Sequence, residues 1–467
     1  PPAPAPAEDD APALRTAPTQ VRSTPKRRAR AGDLRPTGRE RHEEKMLMLG
    51  PVLERMNDEL LNPLVTGAFH RAMAAGLVPP APPEIAEPMQ AIFADFERLV
   101  PAAMTHWQHP RFFAYFPANA SPASILAEQL ANAIASQGML WQTSPAATEV
   151  EQVMIRWLAQ ALGLPDSFTG TIHDSATTAT LSAVLTMREQ ALAWAGVQAG
   201  LSGQPRLRIY ASAETHSSVD KAMRIAGIGQ DNLVKVATDA GFAMDPAALT
   251  AAILADKAAG YLPAGVILCA GGTSIGAFDA IGACIKVAHA HDLPVHVDAA
   301  WAGSAMICPE FRHLWAGVED ADSIVFNPHK WLGAQFDCAI QFLRDPTAQV
   351  KTLGLRPTYL ETAGREEIVN FNEWTVPLGR RFRALKLWFT LRAYGLEGLR
   401  ARIRNHVAWA AEARDALAAL PRIQITSEPR LSLFSFALPT DAETEALLNR
   451  INDDGRIYLT QTRDRKS

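Results

Sequence analysis

Four short stretches of the 467-residue chain hold side chains whose types and positions could do chemistry together. In Asn327-Pro328-His329-Lys330-Trp331, which follows an apolar run, Lys330 is flanked by Trp331 and Leu332. Partial desolvation there lowers a lysine pKa and frees the amine to form a Schiff base. Val295-His296-Val297-Asp298-Ala299-Ala300-Trp301 carries an apolar run into a carboxylate, far enough before Lys330 for one helix and a return strand. An acid in that place can hold a pyridine nitrogen protonated, the condition that makes pyridoxal phosphate (PLP) an electron sink.

The third stretch is His173-Asp174-Ser175-Ala176-Thr177-Thr178-Ala179-Thr180, small and hydroxylic residues that open a helical pattern. Backbone N–H groups and the helix dipole at such a start suit an anion such as phosphate. The fourth, Glu214-Thr215-His216-Ser217-Ser218-Val219-Asp220-Lys221, puts an imidazole just after a strand, where it can stack on a flat ring and move protons. Each stretch alone also has a plain reading: a loop lysine, a capping aspartate, a helix N-cap, a structural histidine. Together they fit one site.

Positioning them requires strand ends. Short β-rich runs at 207–211, 265–269, 294–297, 323–326 and 339–343 alternate with helical patterns at 182–195, 217–225, 246–257 and 282–290. Such alternation implies parallel strands joined by helical crossovers with helices on both faces, and a ligand at the carboxyl ends of the strands. Residues 1–45 are proline- and charge-rich and read as a disordered tail. Residues 46–105 read as an N-terminal helical lobe, with one helix over 89–99, and 106–395 as a large PLP-binding domain. Residues 396–467 read as a small α+β domain: a helix at 401–420, an alternating run at 431–438, a helix at 441–451 and a short strand at 457–460.

Composition excludes much else. Lys and Arg number 45 against 49 Asp and Glu, a net charge of −4, so no strong phosphate-tracking surface is present and no nucleic-acid partner is expected. Four cysteines without a Cys-x-x-Cys pair give neither a disulfide framework nor a zinc ribbon; they read as small core residues. His106 with His109, and His289 with His291, lack a completing carboxylate or thiol, and no metal is assigned. Without a long apolar run or a leader-like start, the chain reads as cytoplasmic, with no membrane partner.

These stretches resemble the PLP-dependent group II decarboxylases of the aromatic-L-amino-acid type. The likeness also takes in Pro377-Leu378-Gly379-Arg380-Arg381-Phe382-Arg383, His106-Trp107-Gln108, Phe113-Ala114-Tyr115-Phe116-Pro117, Trp141 and Thr143-Ser144-Pro145-Ala146, and runs over about residues 100 to 460. It implies a fold-type I PLP enzyme, α/β with a mostly parallel sheet flanked by helices, working as a homodimer with active sites at the subunit interface. By that resemblance Lys330 is the Schiff-base lysine, Asp298 the partner of the pyridine nitrogen, and His216 stacks on the ring with Ala300 against its other face. Ser175, Ala176, Thr177, Asn327 and His329 hold the phosphate end, Thr273 lies near His216, and Leu378 and Gly379 reach in from the other subunit.

The resemblance implies decarboxylation of an aromatic amino acid, tryptophan, phenylalanine, tyrosine or dopa, to its amine and CO2. A tyrosine on a family loop is associated with amine formation and a phenylalanine there with oxidative aldehyde formation; Tyr359 stands at that position. Trp107, Tyr115, Phe116, Pro117 and Met139 correspond to substrate-pocket positions. Met139 and Ala118 depart from the aromatic and hydroxyl residues common there, which suggests a more plastic pocket. Two alternatives remain: an aromatic aldehyde synthase, and a catalytically impaired PLP-fold binding or regulatory protein. The poor match before residue 100, and a final domain that reads as shorter than the family's, speak for the latter.

Overall fold

The computed structural model describes residues 81–101, 104–116, 119–355 and 368–462. The expected tail at 1–45 and most of the expected helical lobe lie outside these. Helix α1, Met89–Leu99, spans the residues its periodicity predicts. Serine and proline start the next two: Ser121 caps α2 (Pro122–Ile134), with Pro122 in its first turn, and Pro145 opens α3 (Pro145–Leu162). Successive turns of α3 bury Thr148, Glu151, Ile155 and Leu158 against the sheet.

The sheet is built from β1 (Thr169–His173), β2 (Leu207–Ser212), β3 (Leu233–Val236), β4 (Leu262–Cys269), β5 (Val295–Asp298), β6 (Ser323–Phe326) and β7 (Ala339–Leu343). Their spatial order is β1-β7-β6-β5-β4-β2-β3. The crossovers carry α4 (Ala176–Ala191), the short α5 (Ala195–Ala199), α6 (Ser218–Ile225), α7 (Pro246–Ala258) and α8 (Ile281–His289). Both sheet faces are covered. Tyr210, Val266 and Leu268 pack with α3, α7 and α8, whereas Ile209, Ala211 and Ile267 pack with α4 and α6. Burial on both faces explains why β6 reads as a nearly unbroken apolar run, and β5, Val295-His296-Val297-Asp298, is buried throughout although two of its residues are polar.

One expectation is corrected here. Strand β7 runs antiparallel to both of its neighbours, β6 and β1. The link from β6 to β7 contains no helix, and a parallel return needs a longer crossover, usually helical. All other strands point the same way, so β1, β2, β4, β5 and β6 end at one edge. The reversed link lies at that edge and carries Lys330.

Beyond the sheet come α9 (Thr347–Leu353) and α10 (Ala384–Ala418), the latter broken at Gly395 (φ 62°, ψ 168°). A two-stranded antiparallel pair, β8 (Gln424–Arg430) and β9 (Leu433–Ala437), and α11 (Asp441–Asp454) follow. The expected strand at 457–460 is absent. Tyr458 instead makes a single bridge to Phe112, with its ring stacked on that of Phe112 at 5.5 Å, and one rung propagates no ladder. Among the described residues no helix is long and apolar enough to cross a membrane.

Candidate active site

The common strand edge encloses a cavity of about 180 Å³. It is lined by residues that follow five strand ends, from Ser175–Thr177 after β1 round to Asn327 and Lys330 after β6. Nine of the expected cofactor residues meet there: Ser175, Ala176, Thr177, His216, Thr273, Asp298, Ala300, Asn327 and Lys330.

Lys330 sits in the tight turn that reverses the chain into β7, its N–H donating to the Asn327 carbonyl at 2.9 Å. The Asn119 side chain donates to the Lys330 carbonyl at 3.2 Å. Its ammonium lies 5.6 Å from the centre of the Phe116 ring. Burial pulls this amine below the ordinary lysine range, opposed by the Asp298 carboxylate, so the neutral, nucleophilic form is more accessible than on a surface lysine.

Asp298 closes β5, in register with Cys269 of β4 and Val325 of β6. One carboxylate oxygen accepts the Ala300 N–H at 3.0 Å, which fixes the side chain at the mouth of the strand. His216 has its ring set by its neighbour two residues on: Nδ1 accepts the Ser218 backbone N–H at 3.1 Å and lies 2.9 Å from the Ser218 hydroxyl. An Nδ1 that accepts a backbone N–H leaves the proton of a neutral ring on Nε2.

Helix α4 opens on Ser175, whose hydroxyl accepts the Thr178 N–H. Asp174 accepts from the hydroxyls of Ser175 and Thr178 at 3.0 and 2.5 Å, and these bonds hold its carboxyl below the usual range despite burial. The turn is thus pinned with the first N–H groups of the helix at the cavity, where they suit an anion. Asn327 is buried, and its Oδ1 has no hydrogen-bond partner among the described residues, which leaves a spare acceptor on the cavity lining. Amine, carboxylate and a helix end suited to an anion together fit PLP.

The aromatic wall has two parts. Phe116 stacks on Trp301 at 4.4 Å and 11°, and Trp301 donates to the Gly271 carbonyl at 2.5 Å. Gly271 has φ +88°, and a Cβ there would lie 2.4 Å from that of Ala302, so the close approach of the Trp301 ring requires glycine. Trp107 and Tyr115 stack at 5.7 Å in a separate, half-exposed cluster.

Several expected residues lie outside the cavity lining. His329 is buried beside it, its Nδ1 accepting the Cys338 N–H at 2.9 Å, and burial pushes the imidazole down to about 3. Met139 accepts the Asn372 N–H through its carbonyl. Leu378 and Gly379 lie in the segment before α10, with Leu378 48% exposed. Pro117 and Tyr359 fall outside the described residues. Trp301, Cys269 and Ser218 line the cavity without having been singled out. Trp301 could have been found from its place three residues after Asp298. The Cys269 thiol is buried as expected, and burial raises it well above the thiol range, which makes it an inert wall.

Comparison with known proteins agrees with this geometry. Residues 71–439 match the family described as pyridoxal-dependent decarboxylase conserved domain. A second match, to a bacteriophage head to tail connecting protein over residues 38–95, covers too little of the chain to assign a family. The chain is 40% identical to the aromatic-L-amino-acid decarboxylase of Cavia porcellus, over 90% of this chain and 89% of that one. Among solved structures it resembles Oryza sativa TDC with PLP and tryptamine, at 34% identity and a TM-score of 0.84 over 92% of each chain. It also resembles Rhodiola rosea 4-hydroxyphenylacetaldehyde synthase, at 32% identity and 0.81 over 92% of each.

Proposed function

Because the chain belongs to the pyridoxal-dependent decarboxylase family, we propose that it binds PLP at the strand ends and converts aromatic L-amino acids (tryptophan, phenylalanine, tyrosine or dopa) to their amines and CO2. The observation that carries this reading is the convergence of Lys330, Asp298, His216 and the N-terminus of α4 on one cavity, with Trp301 in its wall and Phe116 stacked on Trp301.

When bound, PLP supplies the electron sink that accepts the pair released as the bond from Cα to the carboxylate breaks. The chain's own groups do the rest. Lys330 presents an amine that burial keeps easily deprotonated. Asp298 would hold a proton on the pyridine nitrogen, and the backbone N–H groups of Ala176 and Thr177, with the Asn327 side-chain amide N–H, would hold the phosphate. His216 and Ala300 would hold the two faces of the pyridine ring, with Thr273 on the same cavity lining. Phe116 and Trp301 exclude water and offer a flat apolar surface to an aromatic side chain. Tyr359 is the proposed proton donor to Cα.

The proposed assembly is a homodimer in which Leu378 and Gly379 reach the partner's phosphate end. Support comes from half-exposed Leu378 and Val376, and from Met89, Ile92 and Phe93 on α1, which no described residue covers. The proposed organisation keeps 46–105 as the dimer-forming lobe, 106–395 as the PLP domain and 396–467 as the small domain; the Gly395 break in α10 lies at that last boundary. The proposed location is the cytoplasm.

The likeness to the Rhodiola enzyme supports a second reading, oxidative conversion to the aldehyde. One experiment addresses both. Purified protein given PLP should develop a near-visible absorption band that borohydride bleaches, and should then release CO2 and amine from a panel of aromatic amino acids. Aldehyde and peroxide in place of amine would select the second reading; a band with no turnover of any aromatic amino acid would overturn both.

A further inference from the structure

Lys330 is held by its own turn and also, through its neighbour, by a distant helix. Trp331 is buried, and its indole N–H donates to Nδ1 of His406 at 2.9 Å. Its backbone carbonyl accepts from the Arg402 guanidinium at 3.0 Å. Arg402 and His406 stand four residues apart on α10, beyond the Gly395 break, and so share one face of the helix. The Trp331 ring packs against Trp301 at 5.4 Å, and Trp301 backs Phe116, the ring that Lys330 faces.

The same guanidinium lies against Gly333, where a Cβ would come 2.9 Å from Nη1 and the backbone has φ +71°. Residues 330–333 therefore turn tightly around a cation supplied from α10. Burial and the adjacent Arg402 charge hold His406 below the ordinary imidazole range, so Nδ1 keeps the lone pair that the indole needs. On the other side, Ser121 N–H donates to the Gly333 carbonyl at 2.9 Å. The lysine peptide is thus clamped between α2 and α10.

We propose that His406 and Arg402 are positioning residues for Lys330: gripping Trp331 from α10, they set the direction in which the lysine amine enters the cavity. Neither residue lines the cavity, so both act through the lysine turn. The inference rests on the reading of Lys330 as the residue that bonds PLP, its amine condensing with the cofactor aldehyde and one water leaving.

The test is a double-mutant cycle read by PLP affinity rather than by activity. PLP dissociation constants are measured by fluorescence quenching for wild type, His406→Leu, Lys330→Ala and the double variant. His406→Leu should weaken PLP about tenfold when Lys330 is present, the scale of one buried hydrogen bond. It should have no effect in the Lys330→Ala background. His406→Asn, which keeps an acceptor at the place of Nδ1, should restore the wild-type value. Trp331→Phe, which removes the donor and keeps an aromatic ring, should repeat the His406→Leu result and serves if that variant does not fold. Equal weakening with and without Lys330 would overturn the positioning role and leave the PLP reading standing. Wild type and Lys330→Ala binding PLP equally well would overturn the PLP reading itself.

Discussion

Arg380 and Glu151 form an ion pair in the interior, Nη2 to Oε1 2.6 Å, with side chains only 4% and 5% exposed. The same guanidinium donates to the Thr171 hydroxyl and the Ile172 carbonyl at 3.1 and 2.8 Å. Glu151 in turn accepts the Ile172 N–H at 2.8 Å. The pair joins α3, β1 and the segment that carries Leu378 and Gly379, and β1 leads directly into α4.

Removing one partner leaves the other charge buried and uncompensated. Glu151→Ala is therefore expected to cost about 3–5 kcal/mol of unfolding free energy, and Glu151→Gln less, because an amide oxygen can still accept. Urea unfolding at neutral pH checks this, and a Glu151→Ala midpoint equal to wild type would refute it.

Acid should unfold the protein through its interior histidines. Burial lowers His173 and His296 from 6.5 to about 4, so both are neutral in the fold and protonate readily once it opens. Their contribution is fully present above about pH 6.5 and is lost as pH falls toward 4, where the unfolded chain binds the extra protons. Each histidine adds a slope of about 1.4 kcal/mol per pH unit within that window. His296→Gln should flatten the curve of stability against pH between 6 and 4.5 by about one such slope, measured by urea titration at several pH values; an unaltered slope would remove His296 from the account.

The residues that made the site legible in the sequence are those where an apolar run switches abruptly to a polar group, as at Asp298 and Lys330. Strand β1 was not legible, because Thr169–His173 is a polar-looking run whose Thr171 and His173 bond to Glu151 and Gln341 across the core. Nor was the direction of β7, which depends on the helix-free link before it rather than on its own residues. The grip of His406 on Trp331 joins positions 75 residues apart, and no local spacing encodes such a contact. Strand β3 escaped notice because it is four residues long and interrupted by Lys235.

In the proposed reaction Asp298 would act on charge that develops as the carboxylate leaves, so its effect should fall on the chemical step more than on binding. Asp298→Asn is expected to lower kcat about 10²–10³-fold, with a much smaller change in PLP affinity. Single-turnover measurement of CO2 release on PLP-saturated protein separates the two, and a variant impaired only in PLP binding would contradict this role.

In the proposed reaction Tyr359 would decide the fate of the electron pair left at Cα. A phenolic O–H can deliver a proton there, which yields the amine, whereas the phenyl ring of phenylalanine has no proton to give and leaves Cα open to oxygen. Tyr359→Phe should therefore divert product from amine toward aldehyde, ammonia and peroxide while CO2 release continues. General-acid loss of this kind is worth about 10²–10⁴-fold in the protonation step, enough to reverse the product ratio without abolishing decarboxylation. Parallel assay of amine, aldehyde and peroxide in air-saturated buffer gives the ratio directly, and repetition under nitrogen shows whether the diverted product needs oxygen. If amine remains the main product of Tyr359→Phe in air, the proton comes from another group, and His216, which lines the cavity, is the next residue to substitute.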